Sequence, residues 1–306
     1  MEENVFLRLK TWFDGHISPF YRNDPKYDAP LRLKAAHTQR VRGLTRVIGR
    51  EMGLDEPSLR LAVSIAMFHD IGRFAQYERY RTFNDIISKN HAVMGLGRMA
   101  RGRALAGVER REKKIICRSI FYHNAARLPR MDEVSFFFAR LIRDADKLDI
   151  LGIFADYYPK RDQNPDSVIE LGLPDGPGIS REAVSALLEG RSALKSHVKT
   201  LTDFKLLQIS WVFDLNFPHS FALLERFGHI EKIAAGLPET REIKAAMTHV
   251  RRRVRRRAAE RALFSNPVSN PGAHAPGPGL FFEKGQENKA EQAGQHGSGG
   301  QGKGAA

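Results

Sequence analysis

Residues 59–74 read LRLAVSIAMFHDIGRF. The first ten, Leu59 to Phe68, are apolar almost all round, a pattern that suits a helix in the middle of a helical core rather than one at its surface. The run ends on adjacent His69 and Asp70. A buried imidazole beside a buried carboxylate is costly unless each finds a partner. A divalent metal is such a partner, because imidazole nitrogen and carboxylate oxygen are both good ligands and bundles place metal sites between facing helices. Adjacent helical residues diverge by about 100°, so the pair flanks a metal, or Asp70 bridges two, and the remaining ligands must come from other helices.

Outward from this stretch the sequence predicts an all-α protein, since alternating strand patterns are nearly absent. A short amphipathic helix opens the chain over Phe6 to Phe13, and NDPKYDAP (23–30) reads as a proline-bearing connection. A helix from about Leu31 to Met52 stops at Gly53. The next restarts after Asp55, a plausible N-cap with Pro57 in the first turn, and carries MFHD at its far end. RFAQYERYRTFND (73–85) has no sustained period and reads as a loop packed by its aromatics. Helices are expected over Ile86–Met99, Glu109–Ala126 and Glu133–Tyr158, then a long loop over Lys160–Gly178. Further helices follow at about Arg181–Leu201, Asp203–Leu215, Pro218–Phe227 and Arg241–Leu263.

Past Phe264 the chain turns to Pro, Gly, Ser, Gln and Ala, so 265–306 is expected to be a disordered tail behind one helical domain over 1–264. A lone cysteine, Cys117, excludes an intramolecular disulfide framework. No signal-type segment opens the chain and no apolar run reaches the roughly 18 residues of a membrane span, so a soluble, cytoplasmic protein is expected.

Three further histidines lie in predicted helices: His37 in LKAAHTQRV, His91 in SKNHAVMG and His123 in SIFYHNAA. LIRDADKLDIL adds Asp146, followed by Lys147. The order His37, His69-Asp70, His91, His123, Asp146 resembles the HD superfamily of metal-dependent phosphohydrolases, whose signature is a His, a His-Asp doublet and a distant Asp on neighbouring helices. HDIGRF leading into RTFND, SKNHA and YHN is similar to one bacterial subgroup of it. The resemblance covers about residues 30–220, with the Arg-rich helix 241–263 outside.

That resemblance implies an HD-domain-like helical bundle with His37, His69, Asp70 and Asp146 as the basic metal site. It also implies that His91 and His123 hold a second metal bridged by Asp70. The ligand types suit Mn, Fe, Co, Ni or Zn. A bound divalent metal lowers the pKa of water from 15.7 to about 7 and neutralises charge on a phosphoryl oxygen, so hydrolysis of a small phosphorylated substrate is the expected reaction. Arg73, three residues past Asp70, suits bidentate phosphate binding, and Gly72 would let a ligand approach the backbone. Lys147 would hold another phosphate oxygen or orient Asp146. Asp70, Arg73 and Lys147 are thus the expected catalytic set, with Asn124 and Arg81 as further substrate contacts. Arg79 and Thr82 are weaker candidates. Asp149 is read as a carboxylate behind the ligands, Asp85 as either such a carboxylate or a loop cap, and Asp144 as a surface or salt-bridge carboxylate.

Two alternatives use the same sequence differently. Some HD-fold proteins with this ligand order are di-iron oxygenases. A binding role would instead rest on THVRRRVRRRAAERAL (248–263), where Arg251, Arg252, Arg255 and Arg256 would form one basic stripe able to contact nucleic-acid phosphates. The net charge of +14 is local in the same way: nine Arg or Lys against Glu242 and Glu260 give residues 241–261 a charge of +7. Nothing there supplies stacking aromatics for single strands, so binding is not favoured as the principal function.

Overall fold

The computed structural model describes residues 1–261 apart from 164, 166–168 and 177; the expected disordered tail lies outside the described residues. The described chain is helical without strands: α1 (Glu3–Ile17), α2 (Pro25–Glu51), α3 (Glu56–Phe68), α4 (Gly72–Tyr80), α5 (His91–Arg101), α6 (Arg110–Tyr122), α7 (Glu133–Tyr157), α8 (Arg181–Leu188), α9 (Leu201–Ser210), α10 (Pro218–Phe227), α11 (His229–Ala234) and α12 (Arg241–Ala259). Among the described residues no helix is long and apolar enough to cross a membrane.

α7 is the axis of the bundle and packs against α2, α3, α6, α10 and α11. α3 fits between α1, α2, α6 and α7, and its all-round apolar sequence follows from that position: Leu59, Leu61, Ile65, Met67 and Phe68 are all buried. The main core runs from Met1 to Val254 and includes Ile116, Ile120, Ile142 and Leu148. α12 joins it through Ile243, Met247, Val250 and Val254, packed on α10 and α8.

Several boundaries differ from the sequence expectation for physical reasons. The connection expected over 23–30 is the first turn and a half of α2. Asp24 accepts hydrogen bonds from the Lys26 and Tyr27 amides, and Pro25 occupies a position where no amide hydrogen is needed. RFAQYERY is the helix α4 rather than loop. Its period is disguised because a buried face position is the polar Gln76, while Phe74 and Ala75 form a separate small cluster with Phe20 and Leu31. The loop is only 81–90, which leaves Ile86 and Ile87 outside α5 and exposed. The helix expected to reach Leu201 stops at Leu188, before Gly190 at φ +71°; α9 begins at Leu201, capped by the Thr200 hydroxyl. α11 was not anticipated.

Candidate metal centre

Five helices or helix ends converge beside the middle of α7. His37 comes from α2, His69 and Asp70 from the residues just past α3, His91 from the first position of α5, His123 from the position just past α6, and Asp146 from α7. The four imidazoles and Asp70 are all buried. Helix ends suit this purpose because a side chain there can point along the axis into a shared cavity while the preceding turns stay packed in the core. Gly72 makes the convergence possible in a way not expected from the sequence. A Cβ on Gly72 would lie 2.0 Å from the His91 carbonyl oxygen and 2.6 Å from the Gly95 amide. It is the backbone of α5, not a ligand, that approaches there, and this brings His91 to Asp70.

The ligand atoms form two groups, His37, His69 and Asp70, and Asp70, His91 and His123, each with its atoms within 4.8 Å of one another. Asp70 belongs to both, and its oxygens are divided between them. Oδ2 lies 3.6 Å from His37 Nε2 and 3.9 Å from His69 Nε2, whereas Oδ1 lies 3.1 Å from His91 Nε2 and 3.8 Å from His123 Nε2. Asp146 Oδ1 adds to the first group, 3.1 Å from His37 Nε2 and 3.6 Å from His69 Nε2.

The far nitrogen of every imidazole is fixed. His37 Nδ1 donates to Asp149 Oδ2 at 2.7 Å, His69 Nδ1 to the Ala66 carbonyl at 2.7 Å, His91 Nδ1 to Asp85 Oδ2 at 2.8 Å and His123 Nδ1 to the Ile120 carbonyl at 2.7 Å. Each acceptor requires the proton on Nδ1, so in the neutral ring the Nε2 lone pair faces inward. Yet His37 and His69 Nε2 stand 3.2 Å apart, and His91 and His123 Nε2 stand 3.0 Å apart. Two lone pairs that close repel unless a proton or a cation lies between them. A divalent metal meets that requirement with the donor types present.

Electrostatics favour the ligating protonation state at Asp70, Asp146 and His123 but not at His37. Burial opposes ionisation of Asp70, but Lys34, Arg73 and His69 outweigh it and hold the carboxyl well below its usual range. Asp146 is likewise held down, against burial, by the adjoining His37 and His69. Burial and the neighbouring His91 and His69 push His123 down to about 3, which keeps it neutral. His37 is raised: burial opposes its charge, but Asp146 and Asp149 on its two nitrogens prevail.

Around the ligands lies a layer of ion pairs. Arg40 grips Asp149 through Nε at 2.6 Å and Nη2 at 3.1 Å. Arg73 spans Asp70 and Asp85 and also donates to Gln76 and the Phe83 carbonyl. Asn124 donates to Asp85 Oδ2 at 3.3 Å. Lys147 pairs with Asp214 at 2.8 Å, shared with Arg143, whose Nη1 also gathers the carbonyls of Tyr122, His123 and Ala125. Burial and the Arg143 charge lower the Lys147 pKa in spite of Asp214.

The six expected ligands and Arg73, Lys147 and Asn124 are therefore brought together. Arg81, at φ +54°, instead stacks over the Tyr27 ring at 4.3 Å, and Arg79 lies over Tyr80; neither is hydrogen-bonded to a ligand residue. Thr82 caps its own loop by accepting from the Asn84 amide. Asp85 and Asp149 do stand behind the ligands. Asp144 is a correction: it is fully buried and accepts from the Asn216 and Phe217 amides and Asn216 Nδ2. α7 is enclosed on several sides, so a face turned away from the metal ligands still does not reach water. Sequence reasoning missed Lys34, whose Nζ lies 2.9 Å from Asp70 Oδ2, as well as Arg40 and Asp214. The only signal for Lys34 is its place one turn before His37.

Residues 35–151, a span that includes all six ligands, match the family model described as HD domain. No curated protein and no solved structure matches the chain.

Proposed function

We propose, for a chain that carries an HD domain over residues 35–151, that it is a metal-dependent phosphohydrolase acting on a phosphate ester of a small metabolite. The observation that carries the reading is the division of Asp70: its two oxygens face two separate groups of tautomer-fixed imidazoles. That arrangement supports two ions, the first held by His37, His69, Asp70 and Asp146, the second by His91, His123 and Asp70. Divalent metals there supply Lewis acidity toward a phosphoryl oxygen and acidify water.

The rest of the work falls to the chain's own groups. Asp149 and Asp85 keep the protons of His37 and His91 on Nδ1 and thereby keep their Nε2 atoms available. Arg73 and Lys147 supply positive charge beside the ligands, where negative charge on a phosphate would collect, and Asn124 stands with them as a hydrogen-bond donor. The continuous core supports a single helical unit through α12.

The di-iron oxygenase reading uses the same ligands, but the cations Lys34, Arg73 and Lys147 beside those ligands favour a phosphate. Elemental analysis of metal-reconstituted wild type and His91→Ala tests the ligand set: about two ions per chain falling to about one is expected. Hydrolysis of p-nitrophenyl phosphate by the loaded protein should then persist under strict anaerobiosis. A loaded protein that hydrolyses no phosphate ester, or does so only with dioxygen present, would sink the hydrolase reading.

A further inference from the structure

Of the cations around the ligand cluster, Lys34, Arg73 and Lys147 differ in how firmly the fold holds them. Arg73 is a strut: its Nε faces Asp70, and its Nη1 alone donates to Gln76, the Phe83 carbonyl and Asp85. Lys147 is locked with Arg143 onto Asp214. Lys34 is different. Its ammonium has three donors, and its one hydrogen bond among the described residues goes to Asp70 Oδ2 at 2.9 Å, while it rests 5.4 Å over the Phe83 ring. Its side chain is 18 % exposed, so it lies between the buried ligands and solvent.

Asp70 Oδ2 is also the oxygen that faces His37 and His69, the two imidazoles that Asp146 approaches as well. A divalent cation among those atoms would take over the role Lys34 now plays toward Oδ2, and two cations drawn to one oxygen repel each other. A lysine can respond where an arginine fork spread over several acceptors cannot, because its charge sits on a flexible four-carbon stem. We propose that Lys34 is the phosphate-contacting residue of this site: it neutralises Asp70 when metal is absent and, when metal is present, turns its ammonium to an oxygen of the bound phosphate. The inference rests on the phosphohydrolase reading for its substrate class, but it concerns binding and can be measured without turnover.

The test is calorimetry on the full chain with two probes, Mn²⁺ alone and then inorganic phosphate added to Mn²⁺-loaded protein, for wild type, Lys34→Met and Lys34→Arg. Lys34→Met should keep the wild-type metal stoichiometry, with affinity equal or tighter because a competing cation is gone. Its phosphate affinity should fall at least tenfold, with partial recovery in Lys34→Arg. Phosphate affinity within twofold of wild type in loaded Lys34→Met would overturn the proposal. So would loss of metal from that variant, which would make Lys34 a structural support of Asp70. Wild-type loaded protein that binds no phosphate would sink the assignment of Lys34 and the phosphate reading together. If instead the loaded protein binds phosphate through Lys34 yet hydrolyses no ester, only the catalytic reading falls.

Discussion

The two halves of the metal centre are built alike and charged differently. Each has one imidazole anchored by a carboxylate, His37 on Asp149 and His91 on Asp85, and one anchored by the carbonyl three residues earlier, His69 on Ala66 and His123 on Ile120. Both carbonyl-anchored histidines directly follow the last residue of a helix, α3 or α6, where the final carbonyls have no amide partner within the helix and are free to accept. The residue after each then separates the halves: Asp70 after His69, Asn124 after His123. The half built on His37 and His69 has two carboxylates, Asp146 and one oxygen of Asp70, while the half built on His91 and His123 has only the other oxygen of Asp70. With equal imidazole counts, the extra negative charge should make the first half the tighter site for any cation that binds.

The largest effect should come from the one residue the halves share. Asp70→Ala removes a ligand from both and leaves Lys34 and Arg73 without their common carboxylate. Both ions and all hydrolysis above background should be lost. Retention of one tightly held ion by Asp70→Ala would mean that the halves do not depend on a common bridge.

A smaller effect should follow from the anchors. Asp149→Asn and Asp85→Asn each leave the ring in place but replace an obligate acceptor with an amide that satisfies either tautomer. Loss of such a partner costs about 10- to 100-fold in metal affinity. Asp149→Asn should weaken only the first ion and Asp85→Asn only the second, as read by stepwise titration with Mn²⁺. The Asp85 variant should lose more, because Asp85 also receives Arg73, Gln76 and Asn124, whereas Asp149 receives only His37 and Arg40. Equal weakening of both ions by either variant would erase the distinction between the halves.

How much of this was readable in the sequence depended on whether a residue's role is local. HDIGR and RDADKLD are informative because ionisable groups that end or interrupt an apolar helical run contradict burial unless something binds them. The anchors are less visible: Ala66 and Ile120 act through backbone carbonyls, which leave no mark in a sequence. Lys34 meets a residue 36 positions away, so its charge reads as one more exposed lysine on α2. α4 was hidden by the same long-range logic. Gln76 is buried because Asp85, Ser88 and the Lys89 carbonyl await it, and a period count treats a buried glutamine as a solvent position.

The smallest effect sharpens the comparison by lying outside it. Asp132 caps α7 by accepting from the Ser135 amide at 2.9 Å, fourteen residues before Asp146. Slight burial works against its charge, but the two bonds from Ser135 and the Lys114 ammonium bring its pKa down from 3.8 to about 2. A folded-state pKa below the unfolded value stabilises the fold above about pH 4, and the contribution fades as pH falls toward 2. Because the carboxylate is 41 % exposed, its ion pairs with Lys114 and Arg118 are screened and the cap hydrogen bond dominates. Asp132→Ala should therefore cost about 1 kcal/mol at neutral pH, a fall in Tm of roughly 2 °C. The difference from wild type should close on acidification, and both metal affinities should stay unchanged. A shift in either metal affinity would show that the position of Asp146 along α7 depends on the helix's first turn as well as on the packing around the site.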